Sequence, residues 1–161
     1  MITVDMLKKK LGIECIELDW NERFDFIYDY YKIPSTLIIP KGCVKVGRSA
    51  FEDWSGCRRR LKKVIIPESV KRIGTGAFAD CKNLKEVSIP KSVEEIGERA
   101  FIDCKKLEKV VIPESVKMIR RAAFCGCKNA TIILKKPEND FEEINDSAFV
   151  GCKDVKEETR S

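Results

Sequence analysis

From residue 66 onward, apolar residues return to the same positions every 23 residues. Ile66–Ser88 (IPESVKRIGTGAFADCKNLKEVS) and Ile89–Val111 (IPKSVEEIGERAFIDCKKLEKVV) align without a gap, with 13 of 23 positions identical. A further copy starts at Ile112, an earlier one at Ile39 carries four extra residues, and a partial one near the C-terminus carries two. Stacking the copies gives columns of one residue type. Phe51, Phe78, Phe101, Phe124 and Phe149 form one, with Ala50, Ala77, Ala100, Ala123 and Ala148 beside it. Val46, Ile73, Ile96, Ile119 and Ile144 form another, and Cys57, Cys81, Cys104, Cys127 and Cys152 a fourth. Identical apolar types at a fixed period mean that each copy buries the same face against its neighbours, which is the arrangement of a solenoid.

Within a copy, Leu84, Val87 and Ile89, like Leu107, Val110 and Ile112, follow the alternation of a strand that proline cuts short. Successive copies should pair these strands in parallel, about 4.8 Å apart. The return segment SVxxIGxxAF is too short for a long helix and is expected to form a turn or helical turn. Gly47, Gly74 and Gly97 share one column there, which suggests a positive φ. Asn145 tolerates that conformation, whereas Arg120 in the same column fits it poorly. Charge supplies a second indication of register. The columns Glu68/Lys91/Glu114, Lys71/Glu94/Lys117 and Lys63/Glu86/Lys109 each alternate in sign, so stacked copies attract weakly instead of repelling, by roughly 0.2–1 kcal/mol per pair.

The motif IPxSVxxIGxxAFxxCxxLxxVxIP resembles the BspA-type leucine-rich repeats of bacterial surface proteins, found also in parasitic protists. The resemblance runs from about Pro34 to Val155. It implies an α/β fold, a right-handed leucine-rich-repeat solenoid with a short parallel sheet on its concave face. It also implies adhesion or protein binding, in some members at the cell surface. On this reading residues 1–33 are an N-terminal cap, residues 34–155 a solenoid of about five units, and residues 156–161 a frayed tail. Phe24, Phe26, Tyr28 and Tyr30 alternate as in a strand; the segment is read as a cap that shields the first coil, the alternative being an aromatic binding surface. No cap is expected after Val155, which leaves two alternatives for an apolar end containing Ile144 and Val150: homodimer contact, or the last residues folding back over it.

Composition narrows the function. The 161 residues are 43% hydrophobic and 35% charged with a net charge of +5, a soluble, globular balance with no run suited to a membrane. There is no histidine, and no phosphate loop or paired acids in a recognisable motif, so no catalytic constellation can be assembled and no cofactor is expected. Lys8, Lys9 and Lys10 follow only a few apolar residues, unlike a secretory leader. A cytoplasmic protein with eight thiols is therefore expected. The cysteine column is linear with one thiol per coil, and Cys125 and Cys127, two apart, have no second pair and no histidine, which argues against zinc; the stretch Glu138–Glu143 lacks calcium-loop spacing.

What remains is binding. The outward positions of the strands read Ile38, Ile65, Ser88, Val111, Leu134 in one column and Thr36, Lys63, Glu86, Lys109, Ile132 beside it. Four apolar residues in the first column suggest a protein contact. The insertion EDWSGCRRR adds Trp54 with Arg58, Arg59 and Arg60, residue types that anchor interfaces and suit an acidic partner. The expected function is a non-enzymatic protein-binding module, an adaptor or stoichiometric inhibitor. The alternatives are a surface or secreted adhesion protein and a basic nucleic-acid binder, for which no recognised motif is present.

Overall fold

The computed structural model describes residues 35–39, 41–51 and 59–158, so the cap expected over residues 1–33 lies outside the described residues, as do Trp54 and Arg58. The chain winds as a solenoid of parallel strands. Strands β1 (Thr36–Ile38), β3 (Lys63–Ile65), β5 (Glu86–Ser88), β7 (Lys109–Ile112), β9 (Thr131–Leu134) and β11 (Asp154–Glu157) form one six-stranded parallel sheet in that order. The return path carries a second parallel sheet where turn was expected. It is built from the two-residue strands β2 (Lys45–Val46), β4 (Arg72–Ile73), β6 (Glu95–Ile96), β8 (Met118–Ile119) and β10 (Glu143–Ile144).

The core lies between the sheets. Val64 pairs with Val87 on one wall, and Val46, Ile73, Ile96, Ile119 and Ile144 align on the other. Between them the five phenylalanines form a single spine. Successive ring centroids are 5.1, 5.2, 5.1 and 6.0 Å apart, with planes within 24° of parallel. Polar groups facing the core find partners one coil away. The Cys104, Cys127 and Cys152 thiols donate to the carbonyls of Phe78, Phe101 and Phe124 at 3.3, 3.1 and 3.3 Å. Ser92 and Ser115 donate to the Val70 and Val93 carbonyls at 2.7 and 2.9 Å, which explains the serine of the IPxSV segment.

Three further expectations are corrected by the structure. First, the glycine column does not have positive φ. Gly74 and Gly97 are glycines because a Cβ would lie 2.6 Å from the Val46 carbonyl oxygen or 2.7 Å from the Gly74 carbonyl carbon. The left-handed positions lie elsewhere, at Ser49, Gly76, Arg99 and Ala122, and again at Asp80, Asp103, Gly126 and Gly151. Second, the chain does not fray at residue 156. Lys156 and Glu157 pair with Ile133 and Leu134, and the Glu158 N–H donates to the Leu134 carbonyl. Third, Ile132 and Leu134 are core residues, both wholly buried. Val110 pairs with Ile132 and Ile112 with Leu134, so the outward residues of β9 are Thr131 and Ile133. The cause is a one-residue deletion. Six positions separate Cys104 from Val110, but only five separate Cys127 from Ile132, and a slip of one residue moves every strand side chain to the other face.

Candidate functional site: the outer face of the six-stranded sheet

Strand register places Ile38, Ile65, Ser88, Val111 and Ile133 in one row on the outer face. Ile65 and Ser88 are exposed, while Ile38 and Val111 are half-buried. Ile133, between Val111 and Lys156, is only 4% exposed, so the open apolar row ends at Val111. The neighbouring row is Thr36, Lys63, Glu86, Lys109 and Thr131. Lys63 and Glu86 pair at 2.7 Å. Both side chains are about half exposed, so the pair fixes register more than it stabilises.

Beside Val111 the sheet drops into an open groove of about 710 Å³, lined by Ile89, Lys91, Val111, Pro113, Glu114, Ser115, Lys135 and Glu158. Its lining combines apolar and charged side chains. Lys135 hydrogen-bonds Glu158 at 2.7 Å and holds that carboxyl below its usual range. Apart from Val111, sequence reasoning missed these residues. Ile89, Lys91, Pro113, Glu114 and Ser115 belong to the IPxSV segments that follow the strands, and only the fold shows that these segments border the outward row.

The face of the five-stranded sheet differs in character. Glu94 lies between Lys71 and Lys117 at 3.8 and 3.6 Å, and Glu95 lies between Arg72 and Arg120 at 2.9 and 3.1 Å. Arg120 also pairs with Glu143. This replaces the expected backbone strain at Arg120 with a role in an ion-pair ladder. A shallower groove of about 250 Å³ there is lined mostly by these charges, which already satisfy one another.

Arg59 and Arg60 are exposed at the start of the coil that enters β3. The cysteines run in line along the core. Burial pushes the Cys104 thiol well above its ordinary range, with the Cys127 hydrogen bond adding to it, and burial pushes Cys152 up to about 12. Such thiols are poor nucleophiles and poor metal ligands. Among the described residues no group of three or more metal-ligating side chains converges.

Comparison with known proteins accords with this architecture. A leucine rich cell surface protein from Faecalibacterium prausnitzii superposes with a TM-score of 0.69 at 29% identity, over 81% of this chain and 34% of that one. The leucine rich repeat protein of T. pallidum gives 0.64 at 30% identity, over 73% of this chain and 54% of that one. A leucine-rich repeat protein from Bacteroides ovatus gives 0.59 at 27%, over 75% and 37%. The chain thus spans between about a third and a half of the length of these structures. No curated protein matches. The family model for the BspA type leucine rich repeat region matches in six copies across residues 44–159, and the chain belongs to that family.

Proposed function

We propose that this chain is a non-enzymatic protein-binding module, an adaptor or stoichiometric inhibitor, that uses the outer face of the six-stranded sheet. The observation that carries the reading is the apolar row Ile38, Ile65 and Val111, which runs beside the charged row Thr36, Lys63, Glu86 and Lys109 and opens into the groove at Val111. A rigid sheet offers apolar contact without an ordering cost, and the charged row sets the partner's register. Arg59 and Arg60 extend the surface at one end, where they favour an acidic partner. The test is Ile65→Asp with Val111→Asp. Both side chains face outward, so the melt should stay cooperative while partner recovery is lost. Undiminished recovery would remove this face from consideration.

A second reading places the same module at the cell surface as an adhesion protein, favoured by the similarity to the F. prausnitzii cell surface protein. The free thiols suit a cytoplasmic setting, but Cys43, Cys81, Cys104 and Cys127 are buried, which makes those four unreactive in either compartment. Fractionation of the producing cell separates the two, and recovery of the chain outside the cytoplasm would overturn the cytoplasmic assignment.

A further inference from the structure

In each of the last four coils a lysine follows the cysteine of the stacked column: Lys82, Lys105, Lys128 and Lys153. Those cysteines are stacked, three of them hydrogen-bonded to the coil before, so the lysines recur at the strand spacing of about 4.8 Å. All four are exposed. Elsewhere on this molecule adjacent coils set opposite charges against each other, as at Lys63 and Glu86 or Lys71 and Glu94. Here like charges adjoin, which is unfavourable. In the first two coils an aspartate in the left-handed turn offsets the lysine, Asp80 at 3.6 Å from Lys82 and Asp103 at 3.9 Å from Lys105. In the next two that turn position is Gly126 or Gly151, and among the described residues no acidic side chain pairs with Lys128 or Lys153. Lys106, next to Lys105, is exposed as well.

We propose that this rim binds a linear acidic polysaccharide carrying a carboxylate or sulfate on its sugar rings. A straight row with one cation per coil is in step with an extended polysaccharide whose rings each advance by nearly one coil and whose same-face anions therefore recur at every second coil. An extended acidic peptide is out of step, because its same-face side chains recur about 6.6 Å apart. Single-stranded nucleic acid requires aromatic platforms for its bases, and among the described residues this rim has none. The site is separate from the apolar outer row, so either surface can fail without the other.

The test uses the full chain with oligosaccharides of polygalacturonate (one carboxylate per ring) and of heparin as the sulfated arm, and with poly-glutamate and single-stranded DNA of matched charge as competitors. At least one glycan should bind, with affinity falling steeply as salt rises. Lys105→Ala with Lys128→Ala should weaken that binding by about tenfold. Lys71→Ala with Lys117→Ala, which removes the same charge from the other sheet, should change it by less than about twofold. If the alanine pair lowers the melt, Lys105→Gln with Lys128→Gln keeps the stems and is read in its place. Absence of glycan binding at low ionic strength, equal losses in the two double variants, or tighter binding of poly-glutamate or DNA would each overturn the proposal.

Discussion

The phenylalanine spine is the simplest place to test the packing quantitatively. Phe101 is wholly buried and stacks on Phe78 at 5.2 Å and on Phe124 at 5.1 Å. Truncation to alanine removes a full aromatic side chain from a site closed above and below by flat rings, so collapse around the void is limited. Buried Phe→Ala changes cost about 3–5 kcal/mol, and two lost stacking contacts place Phe101→Ala at the upper end or just above it, about 4–6 kcal/mol. Phe149 is only half-buried and has one ring neighbour, at 6.0 Å. Phe149→Ala should cost about 1–2 kcal/mol. Urea unfolding followed by circular dichroism measures both. A total stability of about 5–15 kcal/mol is ordinary for a domain, so Phe101→Ala should move the midpoint far to lower urea. It should also reduce the m-value if the coils on either side uncouple. Equal costs for the two variants, or a cost below about 1.5 kcal/mol at Phe101, would refute a continuous spine.

Other substitutions probe the backbone and the charges. Gly97→Ala places a methyl 2.7 Å from the Gly74 carbonyl carbon and should cost about 1–3 kcal/mol, whereas Arg99→Gly relieves a φ of 53° and should gain about 0.5 kcal/mol; thermal melts of the pair should move in opposite directions. Glu95, held between Arg72 and Arg120, should cost about 1 kcal/mol as Glu95→Gln, with less cost at high salt in the same melts. The Cys152 thiol has its pKa raised from 9.0 to about 12, so the folded chain keeps a proton that the unfolded chain loses. Its contribution is whole below about pH 9 and is lost as pH rises towards about 12. Cys104 acts in the same direction, and urea midpoints measured at rising pH should fall across that window.

The interior was legible because each coil repeats the same answer: the Phe, Ile and Cys columns fix the spacing several times over. The outer face was legible only as far as β7. Beyond Cys127 the run Ala130-Thr131-Ile132-Ile133-Leu134 has too little polar alternation to mark its phase, so the deletion before Ile132 left no trace in the pattern, and two core residues read as surface. The glycine column was visible but its cause was not, since a glycine required for φ and one required for space look identical in sequence. The actual left-handed positions are occupied by Ser49, Arg99 and Ala122, residue types that give no warning, as well as by Asp80, Asp103 and glycines. The second sheet was hidden because its strands are two residues long. The groove beside Val111 depends on how one coil's IPxSV segment borders another coil's strand, a relation between copies that no single repeat contains.

The recognition surface can be tested directly by site-specific photo-crosslinking in the producing cell. A photoreactive residue at Val111, on the outer row of the six-stranded sheet, is compared with one at Val44, which is 44% exposed beside the five-stranded sheet. A discrete protein adduct from position 111, with none from position 44, is the expected result. Adducts from position 44 alone would place recognition on the opposite face and contradict the assignment.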